Sequence, residues 1–135
     1  MTEISYAKCV ILLKEKYSKF ITYWNKYLEE GGPAEGPFPE MIPFCDYVLD
    51  VIKNEDFAQA ENILNTAEYL LCHGDESVKN AIATMFLEDL MHAHPDQINF
   101  ETIAKYLGKE SKGYCRAWDK FTGCRTPGLW DEEGK

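Results

Sequence analysis

The sequence predicts an all-α fold in a single domain spanning residues 1–135. Apolar residues recur every three or four positions over most of the chain, and no stretch alternates with the period of two that a strand requires. The composition, 45% hydrophobic and 13% aromatic over 135 residues, is typical of one packed globule. We expect about six helices forming antiparallel hairpins that stack as in helical-repeat proteins, although no segment repeats at a fixed period.

Two helices are predicted in the first part of the chain. Apolar or aromatic residues spaced by four and three from Tyr6 to Tyr27 predict one long helix, which ends at Gly31. Residues 31–39 contain three glycines and three prolines, so they form a loop. The helical spacing resumes at Met41 and continues to Asn54.

The next two helices are joined by a tight turn. The third helix is predicted over residues 57–71, and it ends before Gly74, which we expect in the left-handed conformation. Asp75 follows as the N-cap of the next helix. Residues 80–87 carry no charge and are apolar on more than one side, which predicts a helix packed between others.

Two further helices and a tail complete the prediction. Asn99 and Ser111 are each expected to cap a helix, the second of which ends at Gly123. The tail, residues 124–135, is expected to be irregular, with Leu129 and Trp130 packed against the body. The last helix is expected to turn four side chains to the core: Tyr114, Cys115, Trp118 and Phe121.

Charge is distributed unevenly along the chain. Residues 31–100 contain 13 acidic residues and only two basic ones, Lys53 and Lys79, whereas both flanking regions are nearly balanced. Such a block produces a field that attracts basic proteins and repels nucleic acid and anionic membranes. A basic protein is therefore the expected partner, with neither nucleic acid nor membrane.

The acidic residues fall on helical stripes opposite the predicted core positions. Each stripe is either a solvated helix face or a docking surface. The argument for docking is the near absence of lysine and arginine, because a cationic partner would relieve the like-charge repulsion. The expected contact residues are Asp46 and Asp50 on one helix, Glu61, Asn65 and Glu68 on the next, Asp75 and Glu76 in the turn, and the loop aromatic Phe38.

Enzymatic and metal chemistry find little support. His92 and His94 lie two residues apart, whereas a helical metal pair needs a spacing of three or four, and His73 with Asp75 fits a solvated turn. The five cysteines are scattered and odd in number, which predicts reduced thiols. Cys115 beside Arg116 is the candidate nucleophile, but its spacing fits core packing better. We therefore expect no enzyme activity, cofactor or metal.

The beginning of the chain carries no targeting signal. Residues 1–5 lack the basic stretch followed by an apolar one that marks a signal peptide, and no window approaches the apolar length of a membrane span. A cytoplasmic protein is expected.

Two stretches resemble a known family: residues 74–90, GDESVKNAIATMFLEDL, and residues 106–123, YLGKESKGYCRAWDKFTG. They are similar to small helical bacterial proteins that are largely uncharacterised, some of which serve as immunity proteins beside polymorphic toxins. The resemblance covers about the last two-thirds of the chain. It implies a small, cytoplasmic, non-enzymatic protein that neutralises a basic, nuclease-type toxin domain, and it assigns no functional residue.

The leading hypothesis is therefore an immunity protein that occludes a cognate toxin with an acidic helical surface. The alternative is a helical adaptor or regulator that binds another cellular protein. A toxin encoded by the neighbouring gene would distinguish the two. The sequence leaves the chemistry of the toxin and the oligomeric state open.

Overall fold

The computed structural model describes residues 3–32, 36–93 and 97–130, and within them helices enclose one hydrophobic core. The prediction of an all-α single domain is confirmed. The only sheet-like pairing among these residues is an isolated bridge between Ile4 and Gly74. The helices are α1 (Tyr6–Lys16), α2 (Ser18–Glu29), α3 (Met41–Lys53), α4 (Phe57–His73), α5 (Glu76–Asn80), the π-helix π1 (Ala81–Leu87), α6 (Glu88–His92), α7 (Glu101–Ala104) and α8 (Lys109–Thr122).

The prediction of one continuous first helix is wrong, because the helix is interrupted at Tyr17. This residue leaves the helical region with φ −127° and ψ 85°. Its buried side chain reaches α4, where the hydroxyl lies 2.7 Å from Asn62 Oδ1 and 2.8 Å from Thr66 Oγ1. The apolar periodicity continues across the break, since α1 and α2 both turn an apolar face to the same core.

The uncharged segment is central, as predicted. Phe86 and Leu87 of π1 are fully buried, and the ring of Phe86 lies 5.4 Å from that of Phe44 on α3. Phe44 in turn meets Phe20 of α2 edge-on at 5.1 Å. These aromatic contacts join π1 to α3 and α3 to α2, and π1 also packs against α4 and α8.

Gly74 is not left-handed, contrary to the prediction. It is extended, with φ −77° and ψ 159°, and pairs with Ile4. A Cβ at this position would collide with Val78 Cγ1 and would lie 2.6 Å from the carbonyl oxygen of Leu70. Close approach of the chain, and not a positive φ, therefore explains the glycine. Asp75 does cap α5 as expected, since its Oδ1 accepts the Val78 N–H at 3.0 Å.

Ser111 does not cap the last helix. α8 begins earlier, at Lys109, and Ser111 is fully buried in its first turn. The cap is the Glu68 carboxylate of α4, which accepts the N–H groups of Glu110 and Ser111 at 2.9 Å and the Ser111 hydroxyl at 2.8 Å. A side chain distant in sequence thus supplies the acceptors that the helix start requires.

The outward side of α8 also differs from the prediction. Cys115 is buried, but Phe121 is 81% exposed.

After α8 the chain follows turns without regular structure as far as Trp130, in agreement with the expected irregular tail, and Leu129 is buried. The buried Asp119 carboxylate holds this segment, because it accepts the N–H and hydroxyl of Thr126 and the indole N–H of Trp130. Residues 131–135 lie outside the described residues.

Candidate partner-binding surface

An acidic cleft of about 260 Å³ opens between α2 and α3. The two helices pack closely through their apolar faces, so the polar residues at the edges of these faces converge above the contact. The cleft is lined by Tyr23, Lys26 and Tyr27 of α2, by Glu30 at its C-cap, by Asp46, Leu49 and Asp50 of α3, and by Gln97.

Tyrosine forms one wall of the cleft. The Tyr23 hydroxyl donates a hydrogen bond to Asp50 Oδ2, and its ring lies 5.6 Å from the buried Tyr47. This hydrogen bond, together with burial and the neighbouring carboxylates, raises the pKa of Tyr23 to about 12. Tyr23 therefore remains protonated at neutral pH and holds the Asp50 carboxylate in place.

The carboxylates of the cleft repel one another. Burial and the charges of Asp50, Asp89 and Glu30 raise the pKa of Asp46, while Lys26 partly opposes them. The pKa stays raised despite Lys26, so this ammonium group does not neutralise the site. A further positive charge in the cleft would stabilise the ionised form of Asp46.

These features suit the cleft to bind a basic side chain. Carboxylates accept charge-assisted hydrogen bonds from a guanidinium or ammonium group, and tyrosine faces attract cations. The two predicted residues Asp46 and Asp50 are brought together here, both on the exposed side of α3. None of the other expected contact residues, all of which the structure describes, lines this cleft.

The α4 stripe is divided by the structure. Glu61 and Asn65 are exposed, and Asn65 borders a groove of about 410 Å³ between α1 and α4. Glu68 is instead occupied in capping α8. Burial acts to raise the pKa of Glu68, but its hydrogen bonds from Glu110 and Ser111 outweigh burial and lower it. Glu68 therefore has a structural role that its place on the stripe did not indicate.

The remaining predicted residues lie apart from the cleft. Asp75 is occupied as the N-cap of α5, and Glu76 beside it is exposed. Phe38 is half-buried, with its ring 5.1 Å from that of Tyr6, so it packs on the domain and does not stand free as an anchor.

The candidate nucleophile Cys115 is buried. Burial, followed by the charge of Asp119, raises the pKa of the Cys115 thiol to about 12, so Cys115 is not a thiolate at neutral pH. Within residues 3–32, 36–93 and 97–130, no group of three or more His, Cys, Asp or Glu side chains is arranged to hold a metal ion. No helix in the same ranges has the length and apolar character needed to cross a membrane.

Sequence reasoning missed the α2 side of the cleft. The apolar periodicity does not single out Tyr23 and places Tyr27 on the core stripe, and Glu30 lies just outside the acidic segment 31–100. The spacing of Tyr23, Tyr27 and Glu30, four and three residues, does place them on one face of a helix. Only the packing of α2 on α3 shows that this face meets Asp46 and Asp50.

Comparison with known proteins places the chain in a family without assigning an activity. No curated protein and no solved structure is detectably similar to it. A protein family does match residues 10–123, from the middle of α1 to the residue after α8. The chain therefore belongs to the family described as "Domain of unknown function (DUF7674)".

Proposed function

We propose that this chain is a cytoplasmic immunity protein that binds a basic toxin domain and blocks it by occlusion, without chemistry of its own. The observation that carries the proposal is the cleft between α2 and α3, where three carboxylates and two tyrosines surround a cavity open to solvent. The resemblance to immunity proteins of polymorphic toxin systems supports the same class of function. Membership of this family assigns no activity to the chain.

A lysine or arginine of the toxin enters the cleft in this mechanism. Its charge stabilises the ionised form of Asp46, whose pKa is raised in the free protein. Tyr23 keeps Asp50 positioned for a hydrogen bond to the incoming group. Since these groups are in place before binding, little ordering is required on association.

The acidic middle of the chain accelerates capture. Residues 31–100 hold 13 acidic residues but only two of the 14 basic ones, so this segment attracts a basic toxin domain. Electrostatic steering raises association rates and weakens as salt increases. Fast capture suits an inhibitor that must act before its target turns over.

The test compares two reversals of equal charge on exposed helical positions, Asp46→Lys on α3 and Glu61→Lys on α4. Association with the product of the neighbouring gene is measured at low and high salt, and a toxicity assay is run in parallel. We expect Asp46→Lys to slow association, to shorten the lifetime of the complex and to abolish protection. Glu61→Lys should cause only a small, salt-sensitive loss of rate.

Two results would contradict the proposal. Equal behaviour of the two variants would assign the effect to overall acidity and not to the cleft. A neighbouring product that binds the protein without being toxic would support the adaptor alternative in place of an immunity protein.

A further inference from the structure

A second surface, which is apolar and basic where the cleft is acidic, lies on the solvent side of α8. Phe121 is the most exposed of the large apolar side chains among the described residues. Gly113 and Ala117, two turns and one turn earlier on the same side, are also exposed. Basic side chains run beside this apolar strip at intervals of three and four residues: Lys109, Lys112, Arg116 and Lys120.

Gly113 has no role in the packing of the described chain. A Cβ built at this position would meet nothing within 4 Å, and the residue sits in the interior of α8 without a positive φ. Glycine is unfavourable in a helix interior, because it loses more backbone freedom than alanine. A neighbouring helix that approaches the α8 backbone closely would account for it.

The aromatic end of the strip is held in place. The rings of Trp118 and Phe121 lie 5.7 Å apart. The Trp118 indole N–H donates to His92 Nε2 at 3.1 Å, which ties the pair to the end of α6. Phe121 therefore projects from a supported position, as aromatic anchors of protein interfaces commonly do.

Positive charge is also held in place at this end of α8. Lys120 Nζ lies 5.6 Å and Arg125 Cζ 5.3 Å from the centroid of the Trp130 indole. The indole is fixed by its hydrogen bond to the buried Asp119. The half-buried Arg116 also lies on this ring, with its Cζ 5.7 Å from the centroid and its Nε donating to the Leu129 carbonyl, so three cations converge on the indole.

We propose that the solvent face of α8 docks an acidic amphipathic helix of a partner protein. The apolar side of that helix lies on Gly113, Ala117 and Phe121, and its carboxylates face the exposed ammonium groups of Lys109 and Lys120. This surface is distinct from the acidic cleft and goes beyond the proposed function.

Charge complementarity favours a short acidic helix over other polyanions. Interactions between exposed charges decay over about 8–10 Å at physiological salt, so a segment confined to α8 senses mainly the local basic residues. A nucleic acid or an anionic membrane extends past α8 toward the acidic middle of a chain whose net charge is −9. A second copy docked through its own α8 would set the two basic stripes against each other.

The test uses a synthetic three-heptad helix as the probe, with leucine and alanine on one side and glutamate beside them, labelled with fluorescein. We expect saturable binding to the full chain, with a Kd below about 100 μM and weakening as salt rises. Gly113→Gln should raise the Tm, because glutamine favours helix, and should lower affinity for the probe at least about tenfold, because it blocks close approach. Phe121→Ala should lower affinity comparably.

Ala58→Gln on α4 provides the matched control, since it places the same side chain on another exposed helical position and should leave probe binding unchanged. Failure of the probe to saturate, or a Gly113→Gln variant that binds normally, would overturn the proposal. Tighter binding of single-stranded DNA or of phosphatidylglycerol vesicles, or dimerisation lost in Phe121→Ala, would also overturn it. None of these measurements involves the toxin, so their outcome is separate from that of the proposed function.

Discussion

Replacing Glu68 by alanine tests whether this carboxylate stabilises the fold or serves only as a solvated charge. The variant removes the acceptor for two N–H groups at the start of α8 and for the Ser111 hydroxyl. Loss of a helix cap costs about 1 kcal/mol. Leaving a buried hydroxyl without its hydrogen-bond partner costs about 1–3 kcal/mol more, and Ser111 is fully buried. We expect a total loss of about 2–4 kcal/mol.

Urea unfolding followed by circular dichroism measures this loss, with Glu61→Ala as the control. Glu61 lies two turns earlier on α4, is exposed, and should change the free energy of unfolding by no more than about 0.5 kcal/mol. Gly108 adds a second check, because a Cβ there would collide with the Glu68 carboxyl group. Gly108→Ala should therefore destabilise the wild type but have less effect once Glu68 is alanine.

The contribution of Glu68 to the free energy of unfolding depends on pH with a definite sign. The pKa of Glu68 is lower in the folded state than in the unfolded chain, so its contribution is present above the unfolded pKa, about 4.3. That contribution disappears as the pH falls through the folded pKa. The difference between wild type and Glu68→Ala should therefore shrink in acid. A loss equal to that of Glu61→Ala at neutral pH would refute the capping role.

The remaining predictions concern packing and the cleft. Phe86→Ala should destabilise the protein by about 3–5 kcal/mol in urea unfolding, whereas Phe121→Ala should change stability by no more than about 0.5 kcal/mol. Gly74→Ala should lower the Tm, because its methyl group collides with Val78, and a Val78→Ala background should restore part of the loss. Asp46→Asn should raise the Tm at pH 7, since the raised pKa of Asp46 means that ionisation opposes folding. This gain should fade as the pH falls through that pKa, and a variant less stable than wild type at pH 7 would contradict the repulsion inferred for the cleft.

The sequence by itself determined those features that depend on neighbours a few residues away. Apolar periodicity placed α3 and α4 close to their observed bounds, and the uncharged run at 80–87 identified the buried π1 segment. Asp75 was recognisable as a cap because the N–H that it accepts lies three residues later. The regional acidity likewise followed from composition and pointed to a basic partner.

Tertiary structure decided the features that depend on distant segments. Glu68 caps a helix whose first turn lies 43 residues further along the chain, so no local pattern distinguished it from the exposed Glu61. The acidic cleft exists only because α2 packs against α3, which brings Tyr23 to Asp50 across 27 residues. A periodic pattern shows that a helix has an apolar side, but it does not show which helix covers that side. That choice depends on the packing of the whole core, and for this reason Phe121 is exposed although its spacing matches the core stripe.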